Sequence, residues 1–110
     1  MKNEVSCSFE STRIQNLVKA KTTEIWKIMH DAVMQNDLHT AQLYTVADNW
    51  LNELIIANIG DVEHAVMEAK ASIRAHMRKE DVDIFQLQKQ FTALRILVEM
   101  LQAYYSNNPK

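Results

Sequence analysis

Glycine and proline, the residues on which tight turns most depend, occur once each in this chain of 110 residues, as Gly60 and Pro109. Sheets and long loops ordinarily need several of each, because glycine adopts positive φ angles and proline presets the first angle of a turn. Apolar residues also recur at intervals of three and four through most of the chain, which is the spacing of amphipathic helices. The sequence therefore predicts an all-α fold.

The apolar spacing divides the chain into four predicted helices. Their approximate bounds are 11–35, 37–59, 61–79 and 82–106. Short connections force neighbouring helices to run antiparallel, so we expect an antiparallel four-helix bundle-like domain. This single domain spans 1–110, with frayed ends at about 1–8 and 107–110. A long-helix dimer, in which one or two of the turns do not close, is the alternative architecture.

The helix ends are predicted from residues that can cap them. Asp37 is the predicted N-cap of the second helix, because its carboxylate can accept hydrogen bonds from the first free N–H groups. Gly60 is placed where a left-handed C-cap would end that helix. Either Asp81 or Asp83 is the predicted N-cap of the fourth helix.

The fourth helix carries more apolar surface than one core requires. One set of residues alternates spacings of three and four, as in a coiled-coil seam, and we expect it to face the core. It consists of Ile84, Leu87, Phe91, Leu94, Val98, Leu101 and Tyr105. A second stripe widens the apolar arc to roughly 200°, whereas a core-facing helix needs about 100°. It consists of Ile96, Met100 and Tyr104.

We expect the second stripe to be exposed and to bind a partner, since contiguous apolar patches on soluble proteins mark interaction surfaces. Trp26 of the first helix is the other candidate for partner binding. Tyrosine, tryptophan and methionine suit such a surface because they supply contact area and adapt their shape. The simplest use of the stripe is a homodimer, in which two identical patches cover each other.

The distribution of charged residues gives limited support to a second possible function. The chain has 12 Lys and Arg against 14 Asp and Glu, a net charge of −2, so no global field attracts phosphates. Lys70, Arg74 and Arg78 nevertheless follow one another at intervals of four on the third predicted helix. This basic face makes a nucleic-acid-binding transcriptional regulator the alternative function.

Catalytic, metal and membrane signatures are not found in the sequence. No Glu-x-x-His pair of the kind used by carboxylate-bridged metal sites occurs, and no base, nucleophile and oxyanion site can be assembled. We therefore expect no enzyme activity, no metal and no cofactor. No apolar run approaches the 18 residues of a membrane span, and the first twenty residues do not resemble a secretory signal, so a cytoplasmic location is expected.

These observations together favour a small non-catalytic protein. The function we expect is that of a regulator, adaptor or inhibitor that acts by protein–protein contact as a homodimer. The identity of its protein partner does not follow from the sequence.

Overall fold

The structure, a computed structural model, describes the backbone of residues 2–56 and 58–106 and the side chains of residues 12–56 and 58–106. Within those ranges the chain forms helices and turns, and no strand occurs. The helices are α1 (Lys2–Met34), α2 (Leu38–Leu43), α3 (Thr45–Glu53), α4 (Ile59–Met77) and α5 (Ile84–Ser106). The predicted all-α, helical bundle-like fold is confirmed.

The largest differences from the predicted helix bounds lie in the first two helices, and the second of them ends at Glu53 instead of near residue 59. The first helix begins at Lys2 instead of near residue 11, and the predicted helix over 37–59 is divided into α2 and α3. The break falls at Tyr44, where the hydroxyl of Thr45 donates a hydrogen bond of 2.8 Å to the carbonyl of Gln42. Threonine hydroxyls compete with backbone N–H groups for carbonyls in this way, and the α-helical ladder is interrupted there. The predicted fraying of 107–110 lies outside the described residues.

The N-cap predicted at Asp37 is confirmed. Its carboxylate accepts hydrogen bonds from the backbone N–H of Thr40 at 3.2 Å and from the Thr40 hydroxyl at 2.6 Å. These bonds lower the pKa of the Asp37 carboxyl, because they favour its charged form. Asn36, just before the cap, has a φ of 61°. Asparagine tolerates this left-handed conformation better than most residues, so it makes the turn between α1 and α2 without glycine.

The predicted left-handed C-cap at Gly60 is wrong. Gly60 lies in the first turn of α4 and does not have a positive φ. Asn58 is the N-cap of that helix: its side chain accepts from the N–H of Asp61 at 3.0 Å, and the Asp61 carboxylate accepts from the N–H of Asn58 at 3.1 Å. This reciprocal capping box satisfies two free donors, so the helix begins two residues earlier than predicted.

Helix α5 occupies the centre of the fold. It packs against α1, α2, α3 and α4, whereas α4 packs chiefly on α5. The two run antiparallel, because the hydroxyl of Tyr105 near the end of α5 donates to the carboxylate of Glu63 near the start of α4. The buried side chains that contact one another form one core from α1, α3, α4, α5 and the turn after α3. They are Ile14, Val18, Ile25, Ala47, Leu51, Leu54, Val62, Ala65, Val66, Ala69, Ala93, Ile96, Leu97, Met100 and Tyr104.

The core assignment corrects the expected position of the second apolar stripe. Ile96, Met100 and Tyr104 are exposed by 3%, 0% and 6% of their surface, so the expectation that they lie on the outside is wrong. Helical spacing gives the angle between two apolar arcs of a helix, but it does not say which arc faces the other helices. Here α1 and α3 cover the side that contains the stripe, so partner binding through these three residues is not proposed again.

The burial of Met100 gives a direct test of which side of α5 faces the core. We expect Met100→Glu to destabilise the fold by more than about 4 kcal/mol, because a carboxylate would enter a fully enclosed apolar site. Urea denaturation followed by circular dichroism measures this change. Gln102→Glu, at an exposed position in the same turn, is the matched control and should stay within about 0.5 kcal/mol of the unmodified protein. A folded Met100→Glu protein of near-normal stability would contradict the assignment.

Candidate functional site

The solvent-facing side of α5 carries the coiled-coil spacing that the sequence assigns to the core. We call this set the outer seam: Ile84, Leu87, Phe91, Leu94, Val98, Leu101 and Tyr105. Ile84, Phe91 and Tyr105 are exposed by 61%, 48% and 51%. The other four are partly buried, and three of them rest on the core from outside. Helix α5 is therefore apolar on two sides, of which one forms the core and the other meets solvent.

The carboxyl-terminal half of the outer seam is concave. An open groove of about 490 Å³ lies there, and its surface is mainly apolar. The groove is lined by Val98, Leu101, Gln102, Tyr105 and Ser106. Such a groove matches the apolar side chains of another helix better than it matches a small polar ligand, because few polar groups converge on it.

One flank of α4 extends the apolar surface sideways. It is defined by residues spaced four, three, four and three apart: Glu63, Met67, Lys70, Arg74 and Met77. Because Glu63 binds Tyr105, this flank adjoins the outer seam. Met67 and Met77 are exposed by 68% and 59%, and the three charged members are exposed as well. We call the outer seam and this flank together the α4–α5 surface.

The hydrogen bond between Tyr105 and Glu63 links the two parts of this surface. The phenol donates to the carboxylate, and this bond raises the pKa of Tyr105 above its ordinary value, with smaller contributions from desolvation and nearby negative charge. The ring of Tyr105 also meets that of Tyr104 edge to face, with centroids 5.2 Å apart. The exposed phenol is thereby held between a core ring and the α4 carboxylate.

Polar contacts hold α1 against the other side of α5. The guanidinium of Arg13 lies 3.9 Å from the centroid of the Tyr104 ring and donates to the Tyr104 carbonyl at 2.7 Å. Lys21 donates to Glu99 at 2.8 Å and to Glu24 at 3.3 Å. Desolvation lowers the pKa of Lys21. The hydrogen bonds and negative charges of Glu99 and Glu24 raise it by a larger amount, so the pKa lies above its ordinary value. Helix α1 therefore covers one side of α5 and leaves the outer seam uncovered.

Trp26 is exposed, as expected, but it does not join the α4–α5 surface. Its side chain is 54% exposed, and its Nε1–H donates to Oδ1 of Asp48 in α3 at 2.6 Å. The structure does not bring Trp26 together with the buried Ile96, Met100 and Tyr104. Partner binding by Trp26 stays a prediction.

The predicted basic face lies partly within the α4–α5 surface. Lys70, Arg74 and Arg78 are all exposed, and among the described side chains no carboxylate lies within 4 Å of their charged nitrogens. Lys70 and Arg74 belong to the α4 flank, between Met67 and Met77. The cations therefore border an apolar surface.

A second cleft, of about 350 Å³, lies between the end of α3 and the start of α4. Trp50 and Leu54 contribute apolar surface, and several acids surround them. Two of these acids are already engaged, since Asp61 forms the capping box and an oxygen of the Glu68 carboxylate lies 3.1 Å from Nε2 of His64. Across the described side chains, no group of three or more potential ligands is placed to hold a metal ion.

Comparison with known protein families, curated proteins and solved structures gave no match to this chain. None of the helices in the described part of the chain combines the length and apolar character needed to cross a membrane. The α4–α5 surface is therefore the feature from which a function is proposed.

The sequence showed the spacing of the seam, but the seam was expected to face the core. The exposed methionines of α4, Met67 and Met77, were not identified as candidate binding residues, although Met67 lies on the same face as the basic residues in the sequence pattern.

The Tyr105 bond generates a pH prediction. Because its pKa is raised in the fold, the bond stabilises the protein below the ordinary pKa of tyrosine, 10.0, and this stabilisation is lost as pH rises through the higher folded value. We expect Glu63→Gln to move the pKa of Tyr105 down towards 10.0. Phenolate absorbance titration measures this shift, with Tyr105→Phe identifying the signal among the three tyrosines. An unchanged titration would show that the two residues do not interact.

Proposed function

We propose that this protein is a small non-catalytic regulator, adaptor or inhibitor that acts by binding a protein through the α4–α5 surface. The observation that supports the proposal is the outer seam, an apolar row whose members Ile84, Phe91 and Tyr105 face solvent in the described part of the chain. Soluble proteins seldom expose large contiguous apolar patches without a partner. The partly buried Leu87, Leu94, Val98 and Leu101 lie between these exposed residues along α5 and continue the apolar row.

The chemistry of the surface favours a helical segment as the bound element. Residues spaced alternately by three and four present a straight apolar stripe, which pairs with a similar stripe of another helix. Phe91 and Tyr105 supply rigid area, and Met67 and Met77 adapt to the shape of what they contact. Lys70 and Arg74 beside the stripe favour an occupant with carboxylates along one edge, since opposite charges select orientation and partner.

The mode of action follows from binding alone. A protein that covers a partner's helix can block another contact of that partner, hold two partners together, or stabilise the folded form of the partner. Each of these needs only stoichiometric contact, and none needs a nucleophile or a base. Two acids of the α3–α4 cleft, Asp61 and Glu68, are engaged in capping and in a histidine contact, which is consistent with this interpretation.

Site-directed photocross-linking tests the proposal. Phe91 is replaced by benzoylphenylalanine, and the variant is irradiated in an extract of the protein's native cells. We expect a covalent adduct with another protein, heavier than two copies of the 12.8 kDa chain. The matched control carries the same photoreactive residue at Thr23, an exposed position on α1, and should give no such adduct. Failure of the Phe91 variant to capture any other protein would overturn the proposal.

The alternative function, nucleic-acid binding by Lys70, Arg74 and Arg78, makes a separate prediction. Binding to duplex DNA would weaken steeply with salt, because each phosphate contact releases counterions. The triple change Lys70→Gln, Arg74→Gln and Arg78→Gln should then abolish the binding, as measured by fluorescence anisotropy. We expect no salt-dependent binding even by the unmodified protein, since the net charge is −2 and Met67 and Met77 border the row. Tight, salt-sensitive binding that the triple change removes would favour the alternative.

A further inference from the structure

The cleft between the end of α3 and the start of α4 combines an aromatic ring with carboxylates. It encloses about 350 Å³ and is lined in nearly equal parts by polar and apolar groups. We propose that it binds an arginine side chain of a partner protein, with the guanidinium stacked on Trp50 and donating to the carboxylates of Glu53 and Glu68. This is a second binding site, beyond the proposed function of the α4–α5 surface.

The cleft and the α4–α5 surface lie on different sides of α4. At about 100° per residue, Asp61 and Glu68 lie roughly 150° around the helix from the middle of the α4 flank. The buried residues of α4, which include Val62 and Ala69, lie between the two. Binding in the cleft therefore does not require the α4–α5 surface, and either proposal can fail while the other stands.

The indole of Trp50 supplies the aromatic wall of the cleft. Trp50 is partly buried and packs against the core, so its ring is held in place before a ligand binds. Leu54 and the 83% exposed Ile56 continue the apolar lining. Tryptophan is the ring that attracts cations most strongly, and a guanidinium also stacks flat on it. The aliphatic stem of the same arginine can lie along Ile56.

The charge of the cleft is complementary to a cation. Glu53, Asp61 and Glu68 line it, and neither lysine nor arginine does so in the described part of the chain. Glu68 lies 3.1 Å from the ring of His64. Among the described side chains, no cationic nitrogen lies within 4.0 Å of Glu53 or Asp61. An occupant of opposite charge would pair with these acids.

Glu53 lies at a position that helix formation alone does not favour. It is the last residue of α3, where the helix dipole is negative and an acid is disfavoured. A cation beside Glu53 would offset this repulsion, and the negative end of the dipole would attract the same cation. At the facing end of α4 the capping box of Asn58 and Asp61 already satisfies two free N–H groups. The helix ends around the cleft therefore favour a cation over an anion.

The arrangement of the acids favours a guanidinium over other cations. Across the described side chains, the acids and histidines do not converge closely enough to hold a metal ion. A guanidinium presents five N–H donors in one plane, so it can donate to two carboxylates while one face stacks on a ring, whereas an ammonium cannot stack in this way. Free arginine would bring its own carboxylate towards the acids. We therefore assign the arginine to a polypeptide.

Nuclear magnetic resonance titration of the isotope-labelled protein tests the inference, with N-acetyl-arginine amide as the probe. The two indole N–H signals report different places, because Trp50 lines the cleft whereas Trp26 lies on α1 and donates to Asp48. Trp26→Phe identifies the signals. We expect a saturable shift of the Trp50 signal alone, with a dissociation constant of about 1–10 mM, as suits one side chain on an open surface.

The chemistry of the probe is varied next. N-acetyl-citrulline amide has nearly the same shape without the charge and should bind at least about 10-fold more weakly. N-acetyl-lysine amide and free arginine should each bind at least about 3-fold more weakly than N-acetyl-arginine amide. Equal binding of the citrulline or lysine amide would overturn the choice of arginine, and equal binding of free arginine would overturn its assignment to a polypeptide.

Two matched variants connect the binding to the cleft. Glu53→Gln removes one charged acceptor at an exposed helix end, so it should leave the fold intact and weaken binding at least about 5-fold. Glu80→Gln removes the same charge at an exposed position that does not line the cleft and should change binding less than about 2-fold. Equal effects of the two variants, or no saturable shift of the Trp50 signal, would overturn the inference. Photocross-linking at Phe91 should be the same in Glu53→Gln as in the unmodified protein.

Discussion

The fold depends on the burial of one side of α5. Ala93, Leu97 and Met100 retain at most 1% of their exposure, and they lie where α1, α3 and α4 converge on this helix. The side chain of Ala93 is a single methyl group, so the neighbouring helices can approach α5 closely there. Met100 fills the irregular space that remains. Since α5 contacts each of the other helices, the orientation of this side decides where each of them can lie.

This orientation has a direct consequence for the opposite side of α5. The neighbouring helices of one short chain occupy two or three sides of a central helix, and the remaining side meets solvent. In most proteins that side is polar, whereas here it carries Ile84, Phe91 and Tyr105. The polar contacts of Arg13 and Lys21 hold α1 on the inner side, so α1 does not extend over the seam. This exposed part of an apolar row is the observation on which the proposed binding function rests.

The sequence was sufficient to predict local features, but it did not show which side of α5 faces the core. Helical spacing and the scarcity of glycine predicted the class, and Asp37 was identified as a cap because its side-chain chemistry acts within one turn. Gly60 was misassigned because Asn58 supplies a stronger cap two residues earlier. Ile96, Met100 and Tyr104 were placed outside because both faces of α5 are apolar, and only contacts with residues distant in the chain distinguish these faces. Such contacts cannot be identified from the spacing of neighbouring residues in the sequence.

In the proposed function the cations beside the outer seam restrict the choice of protein partner. An exposed apolar row would bind any other apolar surface, including misfolded chains, unless something restricts its partners. Under the proposal Lys70 and Arg74 would impose that restriction, because an occupant lacking acids at the matching positions would leave these charges partly desolvated and unpaired. In the proposed function these two cations therefore make the surface selective against unrelated apolar proteins.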